Sequence, residues 1–201
     1  MNPARPTFAL LVSLVAAGCT STPAHYHTLV AAPPNPEPAS ALSTYSIEVA
    51  PVAIPAEVDR LELVVRLGNG TVALLENELW AAPLADEVRI ALGLDIRRRA
   101  DRAMCTEVRE NLQSLSLRVE IERFEAAPDG HALVQTRWQL RVTGGAHDIR
   151  VSRRSRSDQR VGPGYASLVD GYQRALQELA GEVADAALGA LAEDGLPCRT
   201  G

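Results

Sequence analysis

The chain has 201 residues, 46% of them apolar but only 4% aromatic, so Leu, Val, Ile and Ala must fill any core. Its 20 cationic side chains are all arginine, set against 25 acidic residues for a formal net charge of −5. That mild acidity excludes general nucleic-acid binding through a basic field.

Arg5 precedes an eleven-residue apolar run, Phe8 to Gly18, which stops at Cys19. A spanning helix needs about 20 apolar residues, so residues 1–18 read as a secretory leader. Ala16-Ala17-Gly18-Cys19 resembles a bacterial lipobox, with Ala16 where Leu is usual, and makes Cys19 the acylated first residue of the mature protein. Removing 1–18 leaves 183 residues, suited to one domain, and loss of Arg5 takes the charge to −6. Residues 19–44 carry Pro23, Pro33, Pro34, Pro36 and Pro38 and read as a proline-rich tether, with a short strand expected at 26–30. Export also sets the redox context. Cys105 and Cys198 are then an even pair where a disulfide is permitted, although sequence leaves open whether they meet.

The domain is expected over 45–195, with a tail at 196–201. Tyr45, Ile47 and Val49 alternate as one strand, and Leu61, Leu63, Val65 and Leu67 as the next. Asn69-Gly70 then predicts a hairpin into Thr71–Leu75, because both residues tolerate positive φ. Pro83 suits the start of a helix whose Leu84, Val88, Ala91 and Leu92 share a face, with Asp86 and Glu87 at its positive end. Gly93 is the expected stop, and the charged stretch 95–113 carries no assignment. Leu115, Leu117, Val119 and Ile121 alternate again, as do parts of 133–142 through Trp138, with Asp129-Gly130 as the turn between them. Ile149 to Val151 opens a weaker strand that becomes wholly polar. A long helix follows Gly162-Pro163-Gly164, from about Tyr165 to Leu191. Its Tyr172, Leu176, Leu179, Val183, Ala187 and Ala190 form an apolar stripe at helical spacing. The order predicts a single α+β domain, a mostly antiparallel sheet with two packed helices.

Catalytic patterns are absent: the sequence has no P-loop, G-x-S-x-G, helix-opening G-x-G-x-x-G or H-E-x-x-H. His25 and His27 have no third metal ligand near them in sequence, and His131 and His147 sit beside glycine turns. A non-enzyme without cofactor or metal is expected. Two arginine clusters stand out, Arg97-Arg98-Arg99 and the five residues Arg150, Arg153, Arg154, Arg156 and Arg160. The first reads as a solvated face balanced by Asp95 and Asp101. The second reads either as a charged edge strand that resists aggregation or as a docking surface for anionic headgroups or an acidic partner.

Val52-Ala-Ile-Pro55-Ala-Glu-Val-Asp59-Arg60, running into the apolar strand Leu61 to Arg66, resembles a motif of the auxiliary lipoproteins of ABC-type transporters, the PqiC-like family. Glu78-Leu79-Trp80-Ala81-Ala82-Pro83-Leu84 resembles the family's second signature, with Glu78 where Asn is usual. Tyr26-x-x-Leu29, Leu117-x-Val119-x-Ile121-x-x-Phe124, Trp138 and the long terminal helix fall in the same order. The likeness implies a non-catalytic, lipid-anchored subunit of a system moving lipid between inner and outer membranes. It implies as partners an MCE-domain protein and ABC or Pqi-type transporter components, together with a homo-oligomer. Thr20 after Cys19, rather than Asp, implies sorting to the periplasmic face of the outer membrane. In the motifs, Asp59-Arg60 is expected to form an ion pair at the strand's entry, and Trp80 and Pro83 to seat the first helix. An envelope lipoprotein with a structural or assembly role and no transporter is the alternative reading.

Overall fold

The computed structural model describes residues 22–32, 45–67, 70–102, 104–105, 113–127, 130–144, 147–193 and 198–199. In chain order the elements are β1 (His25–His27), β2 (Tyr45–Val49), β3 (Glu62–Arg66), β4 (Val72–Trp80), α1 (Leu84–Arg102) and β5 (Met104–Cys105). They continue with β6 (Gln113–Ala127), β7 (His131–Thr143), β8 (Ile149–Arg160), α2 (Tyr165–Glu193) and β9 (Cys198–Arg199).

Alternating sequence becomes strand where one face can be covered. β6, β7 and β8 form an antiparallel meander, and β2 adds to the other side of β6 in parallel, giving the order β2-β6-β7-β8. Leu115, Leu117, Val119 and Ile121 of β6 are buried, as are Val134, Trp138, Leu140 and Val142 of β7. The register slips between Ile121 and Arg123, a bulge that turns Phe124 and Ala126 inward in place of their neighbours. A second sheet, β1-β4-β3, pairs β3 with β4 antiparallel and β1 with β4 parallel. The two sheets meet through the segment after β2: the Ala53 amide donates to the Val119 carbonyl at 3.2 Å, and the Ile121 amide to the Ala53 carbonyl at 2.8 Å.

Both helices lie on the apolar face of the four-stranded sheet. The whole predicted stripe of α2, from Tyr172 to Ala190, is buried, as are Leu84, Val88, Ala91 and Leu92 of α1. One core joins all layers, and Trp80, Phe124 and Tyr172 fill its centre. The Phe124 and Tyr172 rings stack at 4.0 Å, and Trp80 meets Phe124 edge-on at 6.3 Å. Burial pushes the Tyr172 hydroxyl well above its ordinary pKa, with Glu125 adding to the shift. Gly171 lets α2 approach the sheet closely: a Cβ there would lie 2.4 Å from Val161 Cγ1 and 2.9 Å from Ala132 Cβ.

The expected α+β domain with two helices on a mostly antiparallel sheet is the observed one, with two parallel pairs at its edges. Three details differ. β1 is His25–His27, shorter and one residue earlier than the strand expected at 26–30. Helix α1 does not stop at Gly93 but runs through the unassigned charged stretch to Arg102. A mid-helix glycine costs about 1 kcal/mol, and burial of Leu92 and Ile96 on either side of it outweighs that. Finally, Leu61 and Leu67 at the ends of the predicted β3 alternation are exposed; only Leu63 and Val65 reach the core.

Candidate functional site

The residues just after Cys19 are fastened to the body by side chains from three elements. Cys19 itself lies outside the described residues. In β1, the His25 Nδ1–H and His27 Nε2–H donate to the two carboxylate oxygens of Glu78, at 2.8 and 2.5 Å. Burial pushes Glu78 up, but the two imidazole hydrogen bonds outweigh it and hold its carboxyl below the usual range. One turn into α1, buried Glu87 accepts from the Thr28 hydroxyl at 2.7 Å and the Leu29 amide at 2.8 Å. From α2, Gln173 donates its side-chain amide to the Thr28 carbonyl at 3.0 Å, and Arg98 of α1 donates to the Ala31 carbonyl at 3.3 Å. Leu29 is 1% exposed between these contacts. Glu78 stands between the two rings rather than converging with them on one point. Among the described residues no group of three His, Cys, Asp or Glu is set to hold a metal ion.

The motif residues act through backbone and packing. Val58 and Asp59 amides both donate to the Pro55 carbonyl, at 3.0 and 3.2 Å, closing a turn that seats Val58 in the core. The side chains of Asp59 and Arg60 are exposed, and among the described residues neither has a partner; the expected ion pair is not formed. Pro83 directly precedes α1, and its carbonyl accepts the Asp86 and Glu87 amides at 2.8 and 3.0 Å. Trp80 and Leu84 are buried on either side of it.

Strand pairing sorts the arginines of β8. Arg150, Arg154, Arg156 and Arg160 alternate onto the face turned away from the helices, whereas Arg153 lies on the other face, opposite Trp138 in register. They therefore do not form one patch. On the outer face, Arg137 of β7 reaches Glu122 at 2.6 Å and Glu120 at 3.3 Å, and Arg154 reaches Glu122 at 3.1 Å. A hydrogen bond from Gln135, with both guanidinium groups beside it, holds Glu122 below the usual carboxylate range. On the helix face, Ser155 and Ser157 donate to Glu182 and Glu178 of α2, and Ser155 also accepts the Trp138 indole N–H at 2.8 Å. The first cluster behaves as a helix surface: Arg98 pairs with Asp95 at 2.9 Å and Arg99 with Asp185 of α2 at 3.3 Å.

β5 and β9 pair antiparallel with Cys105 opposite Cys198. No helix among the described residues is long and apolar enough to cross a membrane.

Residues 27–184 match the sequence family described as the ABC-type transport auxiliary lipoprotein component. The chain belongs to that family. No curated protein matches it significantly. Two solved structures share the fold of this auxiliary lipoprotein at 17% identity, and each is covered over 99% of its own length. One is protein XCC0632 from Xanthomonas campestris, which covers 86% of this chain with a TM-score of 0.58. The other, an uncharacterized protein, covers 83% with a TM-score of 0.57.

Two contacts of this auxiliary lipoprotein escape sequence reasoning. Glu78, noted only as a departure from the usual Asn, is the residue that takes both histidines. Glu87, read as a helix-dipole carboxylate, is a buried acceptor for the chain's first ordered segment.

Proposed function

We propose that this protein is a non-catalytic auxiliary subunit of an ABC/MCE-type lipid transport system, acylated at Cys19 and facing the periplasm from the outer membrane. The observation that carries the reading is the fastening of residues 25–31. Six peptide steps separate Cys19 from His25, and fully extended chain spans at most about 3.5 Å per residue. The body therefore hangs within about 20 Å of the acylated residue. A force or a docking event at the body is transmitted to the membrane through Glu78, Glu87 and Gln173 rather than absorbed in a long tether.

Anchor strength follows from chain number. One acyl chain holds marginally and two hold stably, so a triacylated Cys19 keeps the protein on its membrane. The family description supports the transport role, and the motif residues are built as turn, helix start and core rather than as a reacting site. β8 is paired only on its β7 side among the described residues, which leaves a twelve-residue edge rich in arginine for assembly with further copies or with the transporter's periplasmic parts. Intact mass of the membrane fraction tests the anchor, with leader loss plus acyl chains expected and a soluble, unmodified Cys19→Ala protein. Reversing Arg153, Arg154 and Arg156 to Glu tests the edge. The fold should be nearly as stable, because all three side chains are exposed and Glu122 keeps its pair with Arg137, while self-association or partner recovery should fall. A Cys19→Ala protein still held by membranes, together with unchanged assembly of the triple variant, would overturn the reading.

A further inference from the structure

We propose that the outer face of the four-stranded sheet binds a phosphate-bearing anion, between Arg118 of β6, Arg141 of β7 and Arg150 of β8. The site does not depend on the transport role and would stand without it. Strand register brings the three arginines together. Ser116, Arg141 and Arg150 lie directly across from one another in one row, and Arg118, Gln139 and Ser152 in the next. Directly paired residues in antiparallel strands stand about 5 Å apart and diagonal neighbours about 7–8 Å, within reach of arginine side chains. Ser116, Arg118, Gln139, Arg141 and Arg150 line a concavity of about 260 Å³, floored at one side by Ala50.

Charge balance singles out this place on the face. In the rows that follow, Glu120 and Glu122 neutralise Arg137 and Arg154, and Arg156 has Asp158 at 3.2 Å. Here Arg141 faces Arg150 directly, an arrangement that is destabilising between like charges. Asp148 answers one arm of Arg141 at 2.6 Å. The side chains of Arg118 and Arg150 have no ion-pair or hydrogen-bond partner among the described residues. Glu48, the nearest acid on β2, pairs in register with Ser116 but does not line the concavity. Three guanidinium forks, a hydroxyl and a side-chain amide offer donors in excess of acceptors, which is the chemistry that recognises phosphate oxygens. The phosphate could belong to a phospholipid headgroup or to a soluble phosphate.

The test is an NMR titration of the full-length protein in a neutral, phosphate-free detergent, with inorganic phosphate in one arm and monomeric dihexanoyl phosphatidylglycerol in the other. Saturable shifts in the millimolar range or below are expected at 116, 118, 139, 141 and 150. Saturation by the phosphodiester alone identifies a lipid headgroup as the source, by inorganic phosphate alone a soluble anion, and by both the shared phosphate group. Arg118→Gln and Arg150→Gln should each weaken binding about ten-fold, as expected for loss of a charge-assisted contact. Arg97→Gln, an exposed arginine on α1, should leave it unchanged. No saturation in either arm, or equal weakening by Arg97→Gln, would overturn the proposal.

Discussion

Replacing Glu87 by Ala should loosen the first ordered segment of the chain without unfolding the domain. The carboxylate is 5% exposed and accepts two hydrogen bonds from Thr28 and Leu29. Its loss leaves the buried Leu29 amide without an acceptor, a cost of about 1–3 kcal/mol. The same carboxylate sits in the first turn of α1, where its interaction with the helix dipole contributes roughly 0.3–1 kcal/mol to the helix whether or not the segment is docked. Against this stand burial of Leu29, worth about 1.5–3 kcal/mol, and the contacts of Glu78, Gln173 and Arg98, which the variant keeps. The segment should therefore open locally more often while the domain stays folded. Hydrogen exchange at the Leu29 amide reads this directly. A loss of about 1–3 kcal/mol means exchange faster by about 5- to 140-fold in Glu87→Ala. Glu87→Gln keeps a carbonyl acceptor and should accelerate exchange far less. Unchanged Leu29 protection in Glu87→Ala would refute the reasoning, because it would mean that the carboxylate does not hold the segment.

Leu176 is 0% exposed in the middle of α2, so Leu176→Ala should cost about 2–5 kcal/mol in urea denaturation, and a loss below 1 kcal/mol would contradict its place in the core. The register of β5 and β9 supports a Cys105–Cys198 disulfide, since paired antiparallel residues have Cα separations near 4.5–5.5 Å, inside the bridging range. Non-reducing peptide mapping of oxidised protein should recover the two cysteines in one species, and two free thiols would exclude the bridge. Glu78 is held below its ordinary pKa by His25 and His27, so it stabilises β1 docking above about pH 4.3, and that stabilisation disappears as the pH falls through its lowered value. The stability gap between wild type and Glu78→Gln should therefore close in acid; a gap that persists below that range would assign it to another group.

The long elements were legible because their patterning is local. The 4-3-4-4-3 spacing of the α2 stripe requires one covered face, and the alternation in β6 and β7 requires another, so each could be read within a single window. The fastening of residues 25–31 was not legible, for the opposite reason. Glu78 and Glu87 meet partners more than fifty residues away in sequence, and nothing near either residue signals the contact. The arginine site was hidden in the same way. Arg118 and Arg141 each stand between two apolar residues of separate strands, and only the pairing register brings them to Arg150. Continuation of α1 past Gly93 was hidden because the stretch after it is charged. Only packing shows that Ile96 turns inward while Arg98 and Arg99 take partners on the segment below and on α2.

Crosslinking in intact membranes tests the central claim most directly, with the full-length chain as bait and mass spectrometry of the recovered partners. The account expects an MCE-domain protein or an ABC-type transporter component bound to the wild-type chain, with recovery reduced for the soluble Cys19→Ala form. Recovery of envelope structural or assembly proteins alone, equal for both forms, would contradict it.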